Sequence, residues 1–553
     1  MNKILNAAVL VMVIHILAAC TSDSEVEDDV SGSLEQGNDI VVSYADDAVS
    51  LDPHGSNDAY SNRVRSNIYE GLVKQGDNLE TEPLLATDWE QIDDLTWEFT
   101  LDENVTFHDG TDFNAETVKA NLERVIDPAV ASPRANIYEM IEAVNVLDEH
   151  KIEIVTEYPF TPLLNYLTHG AGGMISKDLI DRDYQNAIDE AGLDMTLEAY
   201  YEERAEDSSE YQEAAEALSE STGDLIEQEA IGTNYLQFSD REQGEYTTLS
   251  RFEDYREGPA TVDTVTFKVI PEAGILLADL EAGESHMIGF SEESQLERLE
   301  NNPDIYIENR EQLFTEHVGF NTQKEPLNDK RVRQAIAYLF NKEEIIDGVY
   351  SGNGNVINGF MNEQIQGYND DIYTYDYNVE RAKELMAEAG YEDGFELSFV
   401  TNEMQQRVDL GVYLQEVLSE INIDLSVEQL EWGTFLSHAD SGEHDMFVMG
   451  WPNPTADPDQ SLWPLYHSSM HGTQGNRTFF ENEGVDSLLE EARQESDDSR
   501  RTVLYEEAQE ILNEEIPAIH FRDGMGYQGI QNSVEGIEFD AHVNPDFRNV
   551  TIN

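Results

Sequence analysis

Apolar and polar positions repeat along this chain with two different periods. Asp39-Ile40-Val41-Val42-Ser43-Tyr44 is a short apolar run. Within 89–101, Leu95-Thr96-Trp97-Glu98-Phe99-Thr100-Leu101 alternates residue by residue, as a strand half-buried on one face does. Strand-like runs return over 261–270, His317–Phe320, Phe395–Val400, Asp424–Gln429 and Asp445–Met449. Between them the period lengthens to that of a helix. Residues 61–72 place Val64, Ile68, Tyr69 and Leu72 on one face, and 114–125 open on the cap residue Asn114. Further helices are predicted over 275–280, stopped by Gly283, and over 330–339, 378–389 and 407–420. Strands alternating with helices predict α/β lobes. The segment 181–228 differs, being rich in Glu, Ala and Asp at helical spacing with little apolar surface. It is expected to be an acidic helical insertion, a solvated decoration. No repeat of fixed period is found.

Length and charge sharpen this picture. A chain of 553 residues exceeds one compact core, so two or three lobes are expected. The apolar share of 40% is enough to build them. Against 31 Lys and Arg stand 115 Asp and Glu, a net charge of −84 spread along the whole sequence. Dispersed acid sets solubility rather than a specific site, and concentrated salt, with its short Debye length, is the medium that screens it. Nucleic acid is excluded as a partner, because phosphate contacts need clustered Lys and Arg.

The N-terminus points outside the cell. Met1–Lys3 supply a positive charge, and Ile4–Ala19 is apolar apart from Asn6 and His15. That stretch is short for a bilayer span and suits a signal peptide over 1–19. It ends Leu17-Ala18-Ala19-Cys20, which resembles a lipobox and implies that Cys20, the single cysteine, is lipidated. Residues 20–39 then form a polar tether, predicted to be disordered. The expected location is the outer face of the cell membrane, extracellular or periplasmic. No downstream segment is apolar enough to cross a membrane.

Motifs for catalysis are missing. The chain carries no His-Glu-x-x-His, Gly-x-Ser-x-Gly, Walker A loop or dinucleotide fingerprint ahead of a suitable helix. No cofactor, no metal and no enzymatic role are therefore expected. His169 and His467 are the histidines weighed as nickel ligands, and isolated histidines are more often structural.

Thr106-Phe107-His108-Asp109-Gly110-Thr111, followed by Phe113-Asn114-Ala115-Glu116 and Val118, resembles the signature block of family 5 extracellular solute-binding proteins. Five further blocks follow the same family order. They are Asn67–Leu72, Phe267–Pro271, Leu327–Ile336, Ala382–Tyr391 and Met446–Trp451. The resemblance implies a two-lobed periplasmic-binding-protein-like α/β fold with two hinge crossovers and an extra subdomain in the first lobe. By analogy with the family layout, lobe I is placed at 40–312 and 520–553, including the insertion 181–228, and lobe II at 313–519. It also implies a monomer that captures a solute, delivers it to an ABC permease with its ATPase subunits, and releases it unaltered. The guest is expected to be a peptide, short or glutathione-like. A nickel chelate or other small solute is the same-fold alternative. A secreted hydrolase or surface adhesin is the alternative from another class.

In peptide-binding relatives an Asp shortly after the Gly-Trp pair holds the peptide amine. Here Pro454 occupies that place, so the amine anchor is absent or displaced to Asp457. Gly450 and Trp451 are expected at the pocket, with Asn453 and Asn476 offering paired donors and acceptors. Arg477 and Arg407 are candidates for a bidentate grip on a solute carboxylate. Asn57 and Tyr60 are the candidates from the other lobe.

Overall fold

The computed structural model describes residues 38–56, 58–290 and 296–553. The predicted signal peptide, Cys20, nearly all of the tether and Asn57 lie outside the described residues. Among the described residues no helix is long and apolar enough to cross a membrane.

One ten-stranded sheet runs through the protein. Its strands, in chain order, are β1 (Asp39–Tyr44), β2 (Leu236–Glu242), β3 (Tyr246–Arg251), β4 (Thr264–Val269), β5 (Met287–Phe290), β6 (Ile305–Phe320), β7 (Phe395–Thr401), β8 (Ile423–Gln429), β9 (Met446–Pro452) and β10 (Ala518–Gln531). Across the sheet they follow the order β8-β7-β9-β6-β10-β5-β1-β4-β3-β2. β6 and β10, of 16 and 14 residues, are the longest and pair antiparallel. Their register runs from Ile305↔Gln531 to Gln312↔Gly524, breaks, and resumes at Glu316↔Arg522. On one side of the break β10 pairs with β5, and on the other side β6 pairs with β9. The sheet is thus two sets of strands joined by two crossing strands.

Strand direction decides where a ligand can go. β1, β4 and β5 are mutually parallel, as are β7, β8 and β9. Followed through the antiparallel pairs β5–β10, β10–β6 and β6–β9, the two sets point at each other. β5 ends at Phe290, at the level of Asn309, and β9 ends at Pro452, opposite Phe314. The carboxyl ends of both sets therefore meet at the register break, the place where open α/β sheets bind ligands.

A second, four-stranded antiparallel sheet is built from Ala86–Gln91, Thr96–Leu101, Lys151–Thr156 and Ile141–Asp148, in that order. The helix Ala115–Val125 packs with it around Phe99, Phe107, Leu122, Ile152 and Ile154. Asn114 caps that helix by accepting from the Thr117 amide. This is the extra subdomain.

Two expectations change. The helix predicted over 61–72 covers only Ala59–Arg65. Beyond it the carbonyls of Asn67 and Ile68 accept from the Leu236 and Asn234 amides, so they are not free for a helical ladder. Ile68, Tyr69 and Leu72 remain buried, which is why their spacing looked helical. The acidic segment 181–228 is helical, but it is not a solvated decoration. The helices Lys177–Ala191, Leu197–Ala205, Ser209–Leu218 and Asp224–Glu229 bury Leu179, Ile180, Tyr184, Ile188, Tyr200, Tyr211, Leu218 and Ile226 in the same core as Val42 and Tyr44. Tyr184, Tyr200 and Tyr211 all donate their hydroxyls to the buried Asp127, at 2.9, 2.9 and 3.2 Å.

Candidate functional site

The register break carries unusual chemistry for the middle of a sheet. Glu316 is fully buried there and accepts from the Nε of Arg407 and the Nε of Arg522, each at 2.7 Å. Burial works against its ionisation, but the Arg522 and Arg407 guanidiniums outweigh that and hold the carboxyl down at about 2. Arg522 also donates through Nη1 to the carbonyls of Asn353 and Asp523, each at 3.1 Å, and lies 4.0 Å above the Tyr350 ring. Arg407 starts from the helix Gln405–Leu418, just after β7, and its Nη1 lies 3.3 Å from Asn402 Oδ1. Two cations share this one anion, with the Asp523 carboxyl alongside Arg522.

Phe314 sits in the break itself, half-buried between two glycines. A Cβ on Gly450 would stand 2.2 Å from its ring, and one on Gly524 would stand 3.1 Å away. The same Cβ on Gly450 would be 3.2 Å from Arg407 Nη2. Any side chain at 450 would crowd both groups.

Aromatic side chains gather at the strand ends. After β8, Trp432 is 46% exposed and stacks on Phe435, with centroids 5.5 Å apart. Met404, after β7, is also exposed. On the opposite set, Tyr44 ends β1 and meets Tyr60 edge-on at 6.0 Å, with Arg63 over both rings at 4.7 and 5.0 Å. Phe290, ending β5, stacks on Tyr527 at 5.7 Å. At the outer edge of this end, a groove of about 730 Å³ lies between Val49, Phe238, Glu227 and Arg241. Glu227, from the acidic segment, accepts from the Leu51 and Asp52 amides at 2.9 and 3.2 Å and so ties down the loop after β1.

The residues expected at the site fall into three groups. Gly450, Trp451, Arg407 and Tyr60 stand at the facing strand ends, although the Trp451 Nε1 is occupied by the Gln460 carbonyl at 2.7 Å. Asn453 and Asn476 are consumed inside their own loops, whereas Asp457 and Arg477 are paired with groups distant in sequence. Asn453 gives both amide hydrogens to Asp457 O and Ser461 Oγ and accepts from Thr455. Asn476 bridges His467 O and Phe480 O and accepts from Thr478 and Phe480. Asp457 is fully buried, caps the helix Pro458–Tyr466 and pairs with Arg501 at 2.6 Å, which leaves it unavailable as an amine anchor. Arg477 is spent on Asp440 at 2.7 Å, and burial depresses its pKa. Asn57 and Cys20 form the third group, outside the described residues. The histidines weighed for metal are placed structurally. His169 accepts from Arg134, and His467 stacks on Trp463 at 3.7 Å.

Sequence reasoning missed Phe314, Glu316, Trp432, Tyr44, Arg63 and Arg522. Trp432 carried a signal, as a lone tryptophan directly after a predicted strand. Glu316 carried none, being one acid among 115 Asp and Glu.

A second contact joins the two sets away from the break. Tyr166 donates its hydroxyl to the buried Asp459 at 2.6 Å, and Asn165 donates to Asp457 at 2.8 Å. Arg493 holds Asp459 through two bonds, stacks on Trp463 at 3.5 Å and faces Phe160, while its carbonyl accepts from the Thr161 amide.

The family model described as bacterial extracellular solute-binding proteins, family 5 Middle, matches residues 80–472. The chain belongs to that family. A glutathione-binding protein GsiB of Salmonella typhi is 26% identical over 490 residues, which is 87% of this chain and 88% of that one. DppA of Helicobacter pylori, solved in complex with the peptide STSA, is 27% identical, with a TM-score of 0.77 over 93% of this chain and 98% of its own. AppA of Bacillus subtilis, solved with a nonapeptide, shares the fold at a TM-score of 0.74 and 24% identity, over 94% of this chain and 99% of its own. The fold is the two-lobed one of these binding proteins. Family 5 membership makes this chain the solute-capturing type of protein that serves an importer.

Proposed function

We propose that this protein captures peptides, short or glutathione-like, outside the cell and hands them unaltered to an ABC permease. The observation that carries the reading is the meeting of two sets of strand ends at one break, where Arg407 offers the rest of its guanidinium beside Gly450. That group suits a peptide carboxylate. Trp432, Met404, Tyr44 and Tyr60 supply apolar faces for side chains of varied shape, as a pocket with a few polar anchors requires. The GsiB and DppA likenesses support a peptide guest.

Closure follows from the same geometry. The hinge lies at 313–315 on β6 and beside Arg522–Gly524 on β10, where the ladder is interrupted. One lobe then comprises 40–312 with the C-terminal segment, and the other comprises 313–519. Solute contacts to both lobes shift the population toward the closed form. The Tyr166–Asp459 and Asn165–Asp457 bonds act as a latch across the mouth. Cys20 anchors the monomer to the outer face of the membrane, and the charge of −84 is screened by concentrated salt.

Calorimetry in molar salt tests the reading with Ser-Thr-Ser-Ala, glutathione and nickel–histidine. Saturable binding of a peptide, recovered unchanged, is expected. Binding of the metal chelate alone overturns it.

A further inference from the structure

Glu316 is an odd residue to find in the centre of the main sheet. It is wholly buried, on a strand that passes between the lobes, at the first position where the ladder resumes. Its two oxygens each take the Nε of a different arginine, Arg407 at Oε1 and Arg522 at Oε2. A carboxylate that bound the terminal fork of Arg407 would exhaust it. By taking the Nε edge instead, Glu316 fixes the plane of the guanidinium and leaves Nη1 and Nη2 directed elsewhere. Nη1 reaches Asn402 at the end of β7, and Nη2 lies against Gly450 at the end of β9. Both are strand ends that face the opposite lobe.

We propose that Glu316 is the positioning residue that aims Arg407 at the solute's carboxylate and so sets the preference for guests with a free acidic end. The inference rests on the carboxylate-anchor reading of Arg407 given above. The two partners of Glu316 divide the work. Arg522 stands on the second crossing strand and is braced by the Asn353 and Asp523 carbonyls and the Tyr350 ring. It gives Glu316 a fixed seat at the hinge. Arg407 comes from a helix of the second lobe and takes its orientation from that seat.

The test compares two probes, Ser-Thr-Ser-Ala and its C-terminal amide, by calorimetry at pH 7 in molar salt. The wild type is expected to bind the free acid at least about tenfold more tightly than the amide, and Arg407→Ala to abolish that preference. Glu316→Gln keeps the volume but loses the charge. It is expected to shrink the preference to about threefold or less, the acid losing more affinity than the amide, and Glu316→Asp to restore part of it. A purely structural Glu316 would weaken both probes equally, and that result overturns the proposal. An undiminished preference in Glu316→Gln alongside a lost one in Arg407→Ala also overturns it, while leaving the anchor intact. Equal binding of the two probes by the wild type removes the anchor, and the proposal with it. Should Glu316→Gln fail to fold, Glu316→Asp decides: a reduced preference supports the proposal and an unchanged one refutes it.

Discussion

Removing a single hydroxyl isolates the latch. In Tyr166→Phe the ring stays, packed edge-on against Phe160 at 5.0 Å, and only the 2.6 Å bond to Asp459 is lost. A hydrogen bond to a charged group contributes about 1.5–3 kcal/mol. Asp459 keeps its two bonds from Arg493, at 2.9 and 3.0 Å, so it is not left as an orphaned buried charge. The loss should therefore fall at the lower end, about 1.5 kcal/mol, which is about tenfold in an equilibrium constant. If the bond exists only when the lobes are together, the whole loss falls on closure. Calorimetry with Ser-Thr-Ser-Ala should then show an approximately tenfold weaker Kd. Small-angle scattering of the solute-free protein should show a larger radius of gyration than the wild type. The melting temperature of the solute-free protein should hardly change. The reasoning is refuted if the variant melts earlier while both Kd and the solute-free radius stay at wild-type values. That pattern would mean the bond persists in the open form and belongs to the fold.

Three other outcomes follow from the same arrangement. Cys20→Ser should release the protein from membranes into the medium, and undiminished retention in a fractionation assay would rule out the lipid anchor. Arg477→Ala removes the partner of Asp440 from a buried pair and should lower stability by about 2–3 kcal/mol in salt-matched denaturation, without changing the ratio of acid to amide affinity. A collapse of that ratio would return Arg477 to the binding site. Burial, reinforced by the facing Glu311 carboxyl, raises the Asp523 pKa to about 6 against the bonds from Asn355, while the Arg522 guanidinium lies alongside. Because this folded value exceeds the unfolded one, Asp523 favours the folded state below pH 4 and loses that contribution as pH rises through 6. Glu311→Gln should lower the Asp523 value, so the variant gains melting temperature relative to wild type above pH 6. Parallel profiles from pH 4 to 8 would refute the coupling.

The alternation of strand and helix was legible because the sequence spells out its own punctuation. Asn114 and Asn378 each cap a helix by accepting from an amide three residues on, and Gly390 ends one in the left-handed region at a φ of 86°. The crossing strand was read only over His317–Phe320. Its earlier half, Glu308-Asn309-Arg310-Glu311-Gln312, is polar and looks like a loop. It is a strand because β10 supplies backbone partners along its length, a long-range cause that no local pattern contains. Asn453 and Asn476 turn their amides inward for a related reason. An amide's residue type says what it can bond, but not whether its own loop has already used every position. Tyr184, Tyr200 and Tyr211 were hidden by the glutamates around them. Only the fold brings their hydroxyls to Asp127, which lies 57, 73 and 84 residues away in sequence.

The irregular stretch runs only from Gln312 to His317, where a second register shift follows Glu316, and pairing is regular beyond it on both sides. A full cycle of gripping and letting go therefore dismantles no strand and melts no helix. The motion asks for a few backbone angles and the exchange of side-chain partners for water. The strain of such a motion would fall on neither core.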